Sequence, residues 1–328
     1  MPLRAHEFML LAIEAGEKAR LHAPPNPWVG ALVVNDQGDV VGEGHTHAPG
    51  ESHAEIEALR RAGERASGAT MVVTLEPCCH VGRTGPCVEA IVAAGISRVV
   101  VGTLDPDSRV SGRGVELLKA SGVQVEVGIE EALVKKQLAA YLWHRRTGRP
   151  YVVLKVASTL DGIVAMSDGS SQWITGEAAR RDAHVLRAQS QAILVGAGTV
   201  RADDPVLTAR LDDIIIEPLR VVLGAVPEDA RVRPCLERSG ELGLVLDELG
   251  EHDVLQLLVE GGPTTASAFL EQGLVNHVVW YQAPAFAGAS GTLGALKSLS
   301  TPTIGSLRRG QVVDVTRIGE DIRVDVEV

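Results

Sequence analysis

The chain has 328 residues, a length that suggests two domains. Its 45% hydrophobic and 22% charged residues support packed cores, built from Val, Leu, Ile and Ala because aromatics are only 3%. A formal net charge of −11 argues against nucleic acid as a partner, since its phosphates call for a basic face. No apolar run approaches the roughly 18 residues of a membrane span, the start MPLRAHEFML lacks a signal-peptide core, and four cysteines, three of them clustered, do not resemble a secreted disulfide framework; a cytoplasmic protein without membrane partners is expected.

In chain order, AHEFMLLAIEAGEKAR reads as a helix. VGALVVND and VVGEGH read as strands joined by a turn at Asp36–Asp39. HAEIEALRRAG reads as a helix, because Ile56, Leu59 and Ala62 share one face. ATMVVTLE is a buried strand. PCVEAIVAAG is a helix with Pro86 near its start and Gly95 past its end. SRVVVGTLDP, VELLKASG and VQVEVG continue the strand–helix alternation of an α/β fold. The polar segment HRRTGRP, residues 144–150, marks a boundary, giving domains 1–147 and 148–328. Beyond it YVVLKVAST is a strand, 177–189 a helix, and AILVGAG, LRVVLG and LQLLVEGG are strands. A helix starts at Pro263, VNHVVWYQAP is a strand, and QVVDVTRIG and DIRVDVEV close the chain as β segments.

Three of the four cysteines lie in TLEPCCHVGRTGPC, residues 74–87. A catalytic zinc takes three protein ligands and leaves one position open, and His with two Cys is a suitable set. HAE at His53–Glu55 supplies a histidine and, two residues on, a carboxylate. Zinc deaminases pair H-x-E with P-C-x-x-C, because an acid that does not bind the metal must carry a proton from water to the leaving amine. Here Pro77-Cys78 is followed by Cys87 after eight residues rather than two, and Cys79, adjacent to Cys78, is the weaker ligand candidate. The ordinary alternative is that these cysteines are small core residues.

PNPWVGALVV, GEGHTHAPGESHAE and TLEPCCHVGRTGPC resemble the deaminase half of the bifunctional riboflavin biosynthesis deaminase/reductase family. Its signature E-P-C-x-H-x-G-x-T-x-P-C is met from Glu76 to Cys87. The resemblance implies a cytidine-deaminase-like α/β/α domain with one Zn2+ per chain on His53, Cys78 and Cys87, and Glu55 as proton shuttle. It places Asn26, His45, His80 and Arg83 toward pyrimidine and phosphoribosyl groups. A one-residue insertion before His53 leaves His45 and His47 as alternatives for one contact. Arg83 also has a physical case, since a guanidinium beside the metal loop holds phosphate bidentately.

Taken alone, the second half carries weaker signals. LVGAGTVR has Gly196-x-Gly198 after a strand, but Arg201 stands where a dinucleotide fingerprint needs its third glycine. LVEGGPTTASAFL ends a strand in Gly261-Gly262 and opens a helix whose free amides suit phosphate, or make an ordinary capped turn. KVASTLDGIVA, SQWITG, LRAQSQAILVGAGTVRADDPVLT and LLVEGGPT resemble the reductase half of the same family. This implies a dihydrofolate-reductase-like α/β domain using NADPH. Cofactor positions fall at Ala157, Trp173, Thr199, Asp203 and the segment from Gly262, Pro263, Thr264 and Thr265 to Ala268. Substrate positions fall at Ser171, Arg187, Leu207, Arg210 and Glu260. Lys155 and Asp203 are the polar groups nearest in type to a proton donor.

The chain departs from the family by a shorter stretch between Arg210 and Glu260 and by Gly224-Ala225 where Asp-Ser is usual. Two readings follow. The first is a bifunctional enzyme that deaminates 2,5-diamino-6-(5-phosphoribosylamino)pyrimidin-4-one with zinc and then reduces ribosyl to ribityl with NADPH. The second is a deaminase alone, its reductase half inactive or altered in cofactor use. A homo-oligomer, dimer or tetramer, is expected.

Overall fold

The structure, a computed structural model, describes residues 2–80, 85–107, 109–212, 214–288, 290–297 and 299–328. The chain forms two compact units, Met1–Gly148 and Arg149–Val328.

The first unit runs α1 (Pro2–Glu17), β1 (Gly30–Val34), β2 (Val40–His45), α2 (Ala54–Ala62), β3 (Thr70–Leu75), α3 (Cys87–Ala93), β4 (Arg98–Thr103), α4 (Arg113–Ala120), β5 (Gln124–Val127), α5 (Glu131–Gln137) and α6 (Ala139–Thr147). The sheet order is β2-β1-β3-β4-β5, antiparallel at β2-β1-β3 and parallel at β3-β4-β5. Strand side chains alternate between the two faces. Gly30 faces α1, while Gly42 and Gly44 face α2, so helices cover both sides. The approach of α2 is close. A Cβ on Gly42 would lie 2.2 Å from the Ala58 carbonyl oxygen, and one on Gly44 2.2 Å from that of Ala54. Ala54, Ala58 and Ala62, spaced by four, present the matching buried face. Glycine and alanine thus set the depth at which the start of α2 sits.

Helices α5 and α6 were not anticipated from the sequence. The first four residues of the polar segment 144–150 are the last turn of α6, which Gly148 closes in the left-handed region at φ 74°.

The second unit runs β6 (Tyr151–Thr159), β7 (Ile163–Ala165), α7 (Glu177–Ala188), β8 (Ala192–Gly196), α8 (Ala197–Asp203), β9 (Ala209–Leu211), β10 (Ile214–Ile216), β11 (Leu219–Leu223), β12 (Leu236–Arg238), α9 (Leu242–Glu251), β13 (Gln256–Val259), α10 (Pro263–Glu271), β14 (His277–Ala283), β15 (Leu293–Gly294), β16 (Gln311–Ile318) and β17 (Asp321–Glu327). Eight strands form one sheet, β12-β11-β8-β13-β6-β14-β17-β16, parallel from β12 to β14 and antiparallel beyond. Its central strands are buried on both faces, as near-continuous runs such as AILVG require. Leu194, Leu257 and Val259 pack with α9 and α10, whereas Ile193, Val195 and Leu258 pack with α7 and α8. Helices α8 and α9 and the two- and three-residue strands have no counterpart in the sequence reading, and α8 takes the last two residues of the expected strand AILVGAG. Among the described residues, no helix is long and apolar enough to cross a membrane.

Candidate functional site

In the first unit, His53 is the N-cap of α2 and Cys87 is the first residue of α3. Cys78 follows the end of β3. The three ligand atoms lie within 4.8 Å of one another. His53 Nδ1 is 3.6 Å from Cys78 Sγ and 3.3 Å from Cys87 Sγ, and the Cys87 amide donates to Cys78 Sγ at 3.3 Å. Zn–S and Zn–N bonds of about 2.3 and 2.0 Å put tetrahedral donor atoms roughly 3.6 Å apart, so the set fits zinc. The Cys78 thiol is pulled down to about 4, first by the Cys87 side chain and then, against burial, by His53 and the Cys87 amide; Cys87 is pushed up as the partner that keeps its proton. Glu55, in the first turn of α2, is buried at 4% exposure. Burial, then the Cys78 charge, raises its carboxyl above the ordinary range, favouring a form that can hold a proton. Cys79 turns elsewhere, its Sγ 3.6 Å from the Arg109 carbonyl oxygen.

Glu76 is a feature that sequence reasoning missed. Its buried carboxylate accepts from the amides of Asp105 (3.3 Å), Gly112 (2.9 Å) and Val115 (3.2 Å). It thereby anchors the loop and the start of α4 to the strand end that carries Cys78, at a helix terminus that favours negative charge. Gly114 packs so tightly that a Cβ there would sit 2.3 Å from the Pro77 carbonyl oxygen. The sequence marked it only as the first residue of the E-P-C signature at a buried strand end, with no sign of the amides it accepts.

Of the expected substrate residues, Asn26 closes a turn, its amide donating to Ala23 at 2.9 Å. His80 Nδ1 is buried without a partner among the described residues. His45 ends β2, facing Glu57 and stacked on His47 with ring centroids 4.9 Å apart. Arg83, with Gly82 and Thr84 of the signature, lies outside the described residues.

In the second unit the adjacent parallel strands β8 and β13 end in glycine turns that lead into α8 and α10. The Gly262 amide donates to Thr199 Oγ1 at 3.1 Å, tying the two turns together. A Cβ on Gly261 would lie 2.4 Å from Thr265 Cβ, so glycine is needed there. A cavity of about 1000 Å³ opens over these turns, lined by Ala157, Thr199, Asp203 and the start of α10. Gly224 and Ala225 also line it, so the departure from Asp-Ser falls at the cavity wall. The volume and the exposed helix start fit a dinucleotide.

A second cavity, about 480 Å³, shares Lys155, Ser171, Asp203 and Glu260 with the first and is also lined by Trp173 and Arg210, so Trp173, expected at the cofactor, falls in this second cavity. Ser171 donates to Asp203 at 3.1 Å, and Arg180 stacks 4.7 Å over the ring of Trp173, which is 70% exposed. Leu207, buried at φ 58°, holds a strained backbone in this wall. The Arg187 guanidinium grips Glu260 bidentately at 2.6 and 2.8 Å. Burial opposes ionisation of Glu260, but Arg187 and then Lys155 hold it down to about 2. Burial lowers Lys155, which Glu260 partly offsets. His184, not anticipated, receives the Arg210 amide at 3.2 Å.

Soft donors beside an unbound acid define the first unit as a zinc-deaminase domain, and the second, with its glycine turns under a large cavity, is of the dihydrofolate-reductase-like class. Residues 3–103 match the cytidine and deoxycytidylate deaminase zinc-binding region, and residues 150–324 the RibD C-terminal domain. The chain is 44% identical over 327 residues to riboflavin biosynthesis protein RibD of Mycobacterium tuberculosis, covering 96% of this chain and 95% of that one. It is similar to the solved Acinetobacter baumannii RibD (form 1), with TM-score 0.93, 37% identity, and 100% and 99% of the two chains covered. It is also similar to a Thermotoga maritima protein described as a diaminohydroxyphosphoribosylaminopyrimidine deaminase/5-amino-6-(5-phosphoribosylamino)uracil reductase, with TM-score 0.89, 34% identity, and 99% and 98% covered. The chain belongs to the RibD family of riboflavin biosynthesis proteins. It is a bifunctional enzyme, a zinc-dependent deaminase and an NADPH-dependent reductase.

Proposed function

We propose that residues 1–147 deaminate 2,5-diamino-6-(5-phosphoribosylamino)pyrimidin-4-one and that residues 148–328 reduce the ribosyl group of the product to ribityl. The observation that carries the first step is the meeting of His53, Cys78 and Cys87 beside buried Glu55. These three side chains hold zinc, which when bound supplies the Lewis acidity that makes water a nucleophile at neutral pH. Glu55 takes the proton from the attacking water and delivers it to the leaving amine; its raised carboxyl suits a group that must both accept and release. The Nδ1 of His80, buried and without a partner among the described residues, is the group assigned to the pyrimidine. Arg83 is assigned to the ribose phosphate from the sequence alone.

For the second step, Ala157, Thr199, Asp203 and the turn from Gly262 to Thr265 hold NADPH, which supplies the hydride. Arg187, Arg210, Ser171 and Leu207 line the substrate side. The Arg187–Glu260 pair fixes the charge around Lys155, which donates the proton that accompanies the hydride.

Four free thiols and the absence, among the described residues, of a spanning helix support a cytoplasmic setting. The edge strand β16, with Val312 and Val315 at 57% and 60% exposure, supports a homo-oligomer of two or four chains.

A two-stage assay on the diamino substrate tests the reading: ammonia is released first, and NADPH is consumed only once deaminated product is present. Deamination without NADPH oxidation, even when deaminated substrate is supplied directly, refutes the second step.

A further inference from the structure

A second group of metal-ligating side chains lies in the first unit, on other residues than the thiolate site. His45 ends β2 and His47 follows two residues on, and their imidazoles share one side, stacked with ring centroids 4.9 Å apart. Thr46 between them points the other way; it is buried, and its Oγ1 accepts the Val29 amide at 3.1 Å. Glu57, from the first turn of α2, meets both rings and is only 2% exposed. Glu57 Oε2 is 3.0 Å from His47 Nε2 and 3.6 Å from His45 Nδ1. One nitrogen from each ring and a Glu57 oxygen all lie within 4.8 Å of one another.

We propose that His45, His47 and Glu57 form a second divalent-cation site, for a borderline transition cation such as Zn2+, Co2+ or Ni2+. Two imidazoles and one carboxylate are the donors such ions take, while Mg2+ and Ca2+ call for oxygen. Bonds of about 2.0–2.2 Å put tetrahedral donor atoms roughly 3.4 Å apart, and the observed 3.0 and 3.6 Å bracket that spacing. The carboxylate is oriented by independent bonds. The His45 amide donates to Oε2 at 3.0 Å, and Arg61, half exposed one turn on, donates to Oε1 at 2.6 Å. Outer partners of this kind fix a ligating carboxylate. The bound cation joins the end of β2 to α2, the helix that His53 caps. The site uses none of the thiolate-site residues, although His45 and His47 are the two alternatives that the family resemblance offers for one substrate contact.

The test is equilibrium dialysis of the full chain against Zn2+ with metal analysis, paired with zinc X-ray absorption on the wild-type protein. The expected result is two cations per chain. The second equivalent adds nitrogen and oxygen neighbours to the average shell and no sulfur. His47→Gln and Glu57→Gln each weaken the second equivalent at least about tenfold. The cobalt–thiolate absorption of the first site, retained in both variants, shows that they have folded. A single zinc per chain at saturation, sulfur around both equivalents, or a second equivalent that both folded variants retain overturns the site. The absorption experiment needs no variant, so it decides even if neither substitution folds.

Discussion

Replacing Gly44 by alanine tests how α2 is positioned. The new Cβ would lie 2.2 Å from the Ala54 carbonyl oxygen and 2.6 Å from the Ala58 amide nitrogen. Both are helix backbone, so no side chain can swing aside. Restoring an ordinary contact near 3.4 Å moves the start of α2 by about 1.2 Å. Overpacking of this kind costs about 1–3 kcal/mol. The larger effect is on chemistry, because His53 and Glu55 ride on that first turn, and a misplacement of about 1 Å costs roughly 10²-fold in rate. Gly42→Ala meets Ala58 and Ala62, one turn further on. It is expected to lose similar stability but less activity. The assay is ammonia release from the diamino substrate, with NADPH oxidation on deaminated substrate as the control for the other unit. Gly44→Ala is expected to release ammonia about 100-fold more slowly while NADPH oxidation is unchanged. Wild-type ammonia release by a folded Gly44→Ala protein would refute the reasoning.

Glu55→Gln keeps the three metal donors and is expected to retain zinc while deamination falls about 10²–10⁴-fold; metal analysis and the ammonia assay read the two effects separately. Cys78→Ser should lose zinc from the thiolate site, whereas Cys79→Ser, whose thiol faces the Arg109 carbonyl, should keep it and stay active. For Glu260, the folded carboxyl is held at about 2, below its ordinary 4.5, so its stabilisation is complete above about pH 4.5 and is lost as pH falls through 2. The linked stability is on the order of 3 kcal/mol. Glu260→Gln should flatten that acid limb of unfolding and lower stability at neutral pH, because the largely covered Arg187 loses its carboxylate and keeps, among the described residues, only the Thr208 carbonyl; an acid limb unchanged in the variant contradicts the pairing.

The parts of this architecture that were legible in the sequence are those with local causes. The strands at 30–34, 70–75, 98–103, 192–196 and 256–259 are continuous β-branched and aliphatic runs, buried on both faces. The start of α3 is marked by Pro86, and that of α10 by Pro263. The eight-residue spacing between Cys78 and Cys87 already distinguished this site from P-C-x-x-C deaminases. Helix α9 was hidden although Leu242, Val245, Leu246 and Leu249 carry its period, because Gly243 and Gly250 dilute helix propensity. Strands β7, β9, β10, β12 and β15 are too short to show a period and exist through their pairing. Glu76 and Glu57 could not be read either. The amides that Glu76 accepts lie 29 to 39 residues away, and those distances follow only from the fold.

The Glu76 anchor bears on how the enzyme is assembled. Its three amide bonds, the seat of α2 on Gly42 and Gly44, and the packing of Gly114 on Pro77 all bypass the donor atoms of the thiolate site. The cradle is therefore shaped by the polypeptide before any ion arrives. Chelation should empty it without unfolding it, unlike small zinc fingers, whose fold is made by the metal. The expected consequence is a chain that stays folded without zinc, so that zinc supply sets how much deaminase is active rather than how much protein survives.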